Sequence, residues 1–252
     1  MPPQNPFLRT VHSAVSKVPG FLHSYRKLKE VSRQDPLITA AYRKLFNQGR
    51  LKLPAIEAET LGPAAGSIEL PIQYPLFAGE DAPLVDLLFL LNLAKGRRAQ
   101  RILEVGTYRA RTTYALHLNC PDATIVSYDI QVLDSAYRQL LRNKTNVFLR
   151  HRSFADSAAE LRSEARYDFI FVDGSHRVED VIKDSRLALE LVSDNGIIVW
   201  HDYRPNDFFT DELRVPEGLE ALRPAVSIFA VNKTMCAVHL KGDRNGASAL
   251  RT

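Results

Sequence analysis

The sequence predicts an α/β fold: a doubly wound, mostly parallel sheet that ends in a C-terminal antiparallel hairpin, preceded by an N-terminal helical extension. Three observations carry that expectation. From residue 101 onward, short runs rich in β-branched residues alternate with stretches of helical length. The runs are apolar almost throughout, as parallel strands buried on both faces must be. The last two runs are joined only by Lys233-Thr234, too short a link for a crossover, so they must run antiparallel.

Each element follows in order. Residues 1–52 read as helices with a broken start: Phe7, Leu8, Val11, Val15 and Val18 recur at helical spacing until Pro19-Gly20 stops them. Residues 53–80 hold four prolines and three glycines and read as an irregular connector. Residues 81–95 are strongly apolar and helical in length, the covering for one sheet face. The strands are expected at 101–106 (RILEVG), 123–130 (ATIVSYDI), 146–151 (NVFLRH), 167–174 (YDFIFVDG) and 196–203 (GIIVWHDY). Helices are expected between them at 111–119, 133–142, 155–166 and 177–192, with another at 210–222. Runs 226–232 and 235–241 form the hairpin at the sheet edge, and 242–252 is a polar tail. Two domains result: a basic helical extension and connector over 1–80, and the α/β domain over 81–252.

Composition narrows the class. At 45% hydrophobic and 25% charged, with its 14 Pro and 12 Gly dispersed, the chain is neither collagen-like nor repetitive nor of low complexity. The longest apolar run, 83–94, is interrupted by Asp86 and Asn92 and falls short of the ~18 residues of a membrane span. Cys120 and Cys236 have no metal or redox spacing, and no apolar leader stands at the N-terminus, so a reducing cytoplasm is expected. The net charge of +4 divides unevenly. Residues 1–52 hold ten Lys and Arg against Glu30 and Asp35, so the remainder is mildly acidic. The body therefore gives no electrostatic reason to grip nucleic acid.

Ligands of open α/β sheets bind beyond the carboxyl ends of the strands. After the first strand comes Glu104-Val105-Gly106-Thr107-Tyr108-Arg109-Ala110. Gly106 permits a tight turn, and Ala110 is small enough for a helix start to approach the sheet. A dinucleotide fingerprint needs three glycines and only one is present, which argues against NAD. Glu104 adds a carboxylate where a cationic group of a ligand can sit. The second strand ends in Asp129, placed to accept bonds from both hydroxyls of a ribose. Ser153-Phe154 follows the third strand, where it can edge an adenine or serve as cap and staple of the next helix.

These residues carry a resemblance. Leu103-Glu104-Val105-Gly106-Thr107 with Thr112-Thr113, then Asp129, then Phe171-Val172-Asp173-Gly174-Ser175-His176, then Gly196 through Trp200-His201-Asp202-Tyr203 resemble the class I, Rossmann-like S-adenosylmethionine-dependent methyltransferases. Within that superfamily they are most similar to the small-molecule O-methyltransferase-like group. The resemblance spans about 81–241. It implies methyl transfer from S-adenosylmethionine to a hydroxyl of a small molecule or glycoside. It also implies cofactor contacts by Glu104, Gly106, Thr107, Asp129, Ser153, Phe154 and Asp173. The chain departs from the family's glycine-rich loop at Tyr108 and Ala110.

On the acceptor side, Asp173, Ser175, His176, His201 and Asp202 converge at adjacent strand ends. Histidine titrates nearest neutrality, so His176 and His201 are the candidate bases, with Asp202 and Asp173 orienting them. In metal-dependent catechol-type relatives, positions matching Asp173, His201 and Asp202 hold a divalent ion. Here one ligand would be imidazole, which suits Zn²⁺, Mn²⁺ or Fe²⁺ better than Mg²⁺. Trp200 points away from His201 and into the core. His151 and His239 read as structural. Ser175 lacks a hydrolase's G-x-S-x-G elbow.

A non-catalytic module of the same fold, binding a nucleotide-like ligand or a protein, stays open at this point. So does the role of the basic extension. It reads as a cap over the acceptor cleft or a homodimer contact, as a peripheral membrane contact through the 7–18 stripe, or as a site for an acidic partner.

Overall fold

A computed structural model describes residues 53–70, 83–131, 133–203 and 214–242. The basic helices expected at 1–52, and all but the first residue of the polar tail expected at 242–252, fall outside the described residues.

The elements run β1 (Ala55–Ile56), α1 (Leu84–Gly96), β2 (Arg101–Val105), α2 (Arg111–Asn119), β3 (Thr124–Asp129), α3 (Ala136–Leu141), β4 (Val147–His151), α4 (Ala158–Ser163), β5 (Tyr167–Val172), α5 (Val178–Leu191), β6 (Val192–Trp200), α6 (Val215–Leu222), β7 (Phe229–Val231) and β8 (Ala237–Leu240). The eight strands form one sheet in the order β1-β7-β8-β6-β5-β2-β3-β4. Only β8 runs against its neighbours, antiparallel to both β6 and β7.

The near-continuous apolar strands bury both faces, as their composition requires. Along β2, Ile102 packs with Ile125, Phe169, Phe171, Ile197 and Val199 beneath α1 and α2. Leu103 and Val105 face the other way, with Val126, Tyr128, Ile170, Ile198 and Trp200, against α4, α5 and α6. Over the described residues, the covering helix expected at 81–95 is α1: its Leu87, Leu90, Leu91 and Leu93 are buried on the first face. Trp200 lies in the core, its Nε1 donating to Ser185 Oγ at 2.9 Å.

Two sequence expectations need correction. The segment 53–80 is not irregular throughout, because Ala55 and Ile56 pair in parallel with Ala230 and Val231. Ala230 N donates to Pro54 O and Asn232 N to Ile56 O. Leu53, Ile56 and Leu61 are buried. The C-terminal hairpin is therefore not the sheet edge, since β1 covers β7. Its link is also longer than two residues, running from Asn232 to Cys236 with Lys233 at φ 64°. A two-residue strand has no periodicity to read; it exists only because a distant partner supplies its hydrogen bonds.

The sheet reverses its winding between β2 and β5. The order runs β2-β3-β4 to one side and β5-β6 to the other, so the loops after β2 and β5 part and leave a crevice over their carboxyl ends.

Candidate active site

At the reversal, backbone bonds hold β2 close to β5 on one side and to β3 on the other. Asp173 N donates to Val105 O and Gly106 N to Tyr128 O, both at 2.8 Å. Gly106 sits at φ 99°, and a Cβ there would meet Asp173 O at 2.0 Å. Beyond it, Tyr108 and Ala110 take left-handed φ values of 46° and 61°, where glycine is the ordinary occupant. The turn is paid for by Asp129, whose Oδ2 accepts from Tyr108 N at 2.6 Å while Oδ1 accepts from Gln131 N at 2.8 Å. Each carboxylate oxygen keeps a further lone pair for a ligand hydroxyl.

A cleft of about 1110 Å³ opens over these loops. It brings together nine of the ten residues singled out from the sequence: Gly106, Thr107, Asp129, Ser153, Phe154, Asp173, His176, His201 and Asp202. Ser153 and Phe154 are tied to the structure around them and also line the cleft. Ser153 Oγ accepts from Asp156 N at 3.2 Å, and the Phe154 ring packs edge-on against Tyr128 with centroids 5.7 Å apart.

Glu104 is the exception. It is fully buried beneath the turn, facing α2, and does not line the cleft. Its Oε2 accepts from Thr113 Oγ1 and Ser127 Oγ, both at 2.5 Å, and Thr107 Oγ1 lies 2.6 Å from Ser127 Oγ. Oε1 has no hydrogen-bond partner among the described residues. Burial outweighs the two hydroxyls and pushes the carboxyl up to about 7. A raised carboxyl stabilises the fold in its neutral form, fully below about pH 4.5 and progressively less as pH rises through 7. Between pH 5 and 8 the protein should lose on the order of 3 kcal/mol through this group, so Glu104→Gln should lose correspondingly less than the wild type over that window. Urea unfolding followed by the fluorescence of Trp200 measures both, and parallel profiles would rule the explanation out.

The histidines sit at the opposite end. His201, at 6% exposure, places Nε2 3.1 Å from Asp86 Oδ2 and Nδ1 3.2 Å from Asp173 Oδ1, with Asp202 Oδ2 at 3.8 Å. Burial favours its neutral form, but Asp173, Asp202 and Asp86 outweigh that and hold it well above the ordinary imidazole range. With a carboxylate at each nitrogen, such a ring donates two bonds and has no lone pair to offer an acceptor proton. His176 differs. It is only partly buried, and its Nε2 lies 2.9 Å from Asp202 Oδ2. Burial lowers its affinity for a proton and Asp202 more than restores it. One ring nitrogen thus meets a carboxylate and the other can take a proton. Ser175 Oγ is spent on Asp180 Oδ2 at 2.7 Å. His151 and His239 bond backbone carbonyls, of Ile130 and Ser227.

Asp86 escaped the sequence reading, which saw it only as a polar break in an apolar run. That break was the available signal: a carboxylate 2% exposed within a leucine-rich helix must have a partner.

The donor sets meet the needs of the groups the resemblance implies. Toward S-adenosylmethionine, the cleft offers an oriented carboxylate at the end of β3 and an aromatic, hydroxyl-edged wall after β4. Toward a divalent ion, Asp173, His201 and Asp202 each present a ligand atom within 4.8 Å of the others. With Nε2 of His201 turned to Asp86, Nδ1 is the nitrogen such an ion would take, and only by displacing the proton that Nδ1 directs at Asp173.

The strand order and the glycine turn between β2 and β5 are those of a Rossmann-like, class I methyltransferase fold. Residues 95–203 match a family model described as a methyltransferase domain. A search of curated proteins finds no match. Solved structures share the fold. The O-methyltransferase from Bacillus cereus in complex with SAH aligns at TM-score 0.50 and 19% identity, covering 65% of this chain and 84% of its own. A cofactor-bound protein from MTB aligns at 0.54 and 16%, covering 90% and 99%. The O-methyltransferase TomG from Streptomyces achromogenes in complex with SAM aligns at 0.51 and 17%, covering 81% and 99%.

Proposed function

We propose that the protein methylates a hydroxyl oxygen of a small molecule or glycoside, with His176 as the base that removes the hydroxyl proton. The observation that carries this reading is the His176–Asp202 pair, 2.9 Å apart, lining the same cleft as the Asp129 wall. S-adenosylmethionine, when bound, supplies an electrophilic methyl group on its sulfonium. The chain's task is then to align the acceptor oxygen and take its proton as the carbon–oxygen bond forms. His176 accepts that proton, and Asp202 stabilises the imidazolium that results. His201, flanked by Asp86 and Asp173, serves as a buried cation that keeps the carboxylates apart and in place. Asp129 holds the ribose, Ser153 and Phe154 edge the adenine, and Gly106 and Thr107 line the turn between. Glu104 supports that turn from below through Ser127 and Thr113. If a divalent ion joins Asp173, His201 and Asp202, it contributes Lewis acidity at the acceptor oxygen.

Among the described residues no helix is long and apolar enough to cross a membrane. Cys120 and Cys236 are both free thiols, in keeping with a place in the cytoplasm.

The test uses isotope-labelled S-adenosylmethionine with a library of hydroxylated small molecules and glycosides, the product being located by mass spectrometry. Label on oxygen is the expected result; label on nitrogen, or tighter calorimetric binding of NAD than of S-adenosylhomocysteine, would overturn the proposal. Asp129→Ala should weaken S-adenosylhomocysteine about 100-fold or more, because two charge-assisted bonds of roughly 1.5–3 kcal/mol each are lost. Unchanged affinity by calorimetry would remove Asp129 from the ribose.

A further inference from the structure

We infer that Asp86, on α1, is a positioning residue for the acceptor end of the cleft: by holding Nε2 of His201 it turns Nδ1 toward Asp173 and Asp202. The inference deepens the methyltransferase reading and rests on it for its role in turnover, though not for its geometry. Asp86 touches neither the cofactor wall nor the cleft surface; it is 2% exposed and absent from the lining. Both of its oxygens are nevertheless committed to residues that do line the cleft. Oδ2 lies 3.1 Å from His201 Nε2, and Oδ1 accepts from Met235 N at 3.0 Å. Pro83, which also lines the cleft, accepts at its carbonyl from Asp86 N at 3.0 Å. One carboxylate thus ties three segments together: the start of α1, the end of β6 and the turn between β7 and β8.

The chemistry of the two bonds is unequal. A backbone N–H is a fixed donor, so Met235 always needs an acceptor from residue 86. Imidazole can turn either face to its neighbour: Nε2 donates if it carries a proton and accepts if it does not. Aspartate, with two acceptor oxygens, satisfies Met235 and forces Nε2 of His201 to be the donor. Asparagine has the same shape but one acceptor. With its carbonyl committed to Met235, its amide must point at Nε2 and can be satisfied only if that nitrogen gives up its proton. Asp86→Asn is therefore a nearly isosteric change that reverses the hydrogen-bond polarity of His201 while leaving the packing of α1 intact. From His201 the effect passes onward, because Nδ1 faces Asp173 Oδ1 at 3.2 Å and Asp202 Oδ2 at 3.8 Å, and Asp202 holds His176 at 2.9 Å.

The experiment is NMR of the full chain with ¹⁵N-labelled histidine, saturated with S-adenosylhomocysteine at one fixed pH. In the wild type, the Nε2–H of His201 should give a slowly exchanging signal; a rapidly exchanging or unprotonated Nε2 overturns the inference without any variant. In Asp86→Asn that signal should be lost, and the ring resonances of His176 should move as well. Ring signals of both histidines identical to wild type would show Asp86 to be merely structural. Calorimetry should give S-adenosylhomocysteine affinity within about threefold of wild type, since the cofactor wall shares no partner with Asp86. If S-adenosylhomocysteine binds neither protein, the methyltransferase reading fails while the histidine result still decides the inference.

Discussion

His176→Ala is expected to bind S-adenosylhomocysteine as the wild type does and to lose about 10²- to 10⁴-fold in kcat, the range that a positioned base contributes. The split follows from where the side chain sits. His176 lies in the loop between β5 and α5, beside the acceptor end of the cleft, and its contact is Asp202 rather than any residue of the Asp129 wall. His201→Gln should behave differently. Removing a buried ring that faces Asp86 and Asp173 strands two carboxylates, so folding stability should fall together with turnover. Thermal melts beside turnover of an identified acceptor separate the two. A His176→Ala enzyme with undiminished kcat, or one that loses stability as His201→Gln does, would remove His176 from the role of base.

Gly106→Ala carries the largest structural effect expected in the domain. The added Cβ would lie 2.0 Å from Asp173 O and 2.6 Å from its carbonyl carbon, and these are backbone atoms that cannot rotate away. Relief requires parting β2 from β5, where Asp173 N bonds Val105 O. The residue is also at φ 99°, which an L side chain adopts only under strain. Overpacking and backbone strain together amount to roughly 3–5 kcal/mol. Urea unfolding read at Trp200 tests it. Stability within about 1 kcal/mol of wild type would mean that the turn relaxes without cost to the sheet.

The candidate site was largely legible because its residues lie at strand ends that the sequence marks. An apolar β-branched run followed by Gly106, Asp129, Asp173 or His201-Asp202 announces both a strand and the side chains standing just past it. What the sequence could not distinguish was depth. Glu104 and Gly106 are two residues apart, yet Glu104 still lies within β2, under α2 and bonded to Thr113 and Ser127, whereas Gly106 stands past the strand end at the cleft. His176 and His201 likewise read as equals. Their difference depends on Asp86, far away in the chain, which closes off one ring and not the other.

The sequence by itself determined the alternation of strand and helix, the burial of both sheet faces and the set of polar groups at the strand ends, because each of these follows from local periodicity and residue chemistry. Only the tertiary structure decided that Ala55–Ile56 caps the sheet, that the crevice falls between β2 and β5, and that Asp86 meets His201. Each of those outcomes joins segments distant in the chain. Such pairings are selected by hydrogen-bond and charge satisfaction in the assembled core, and no window of sequence contains both partners.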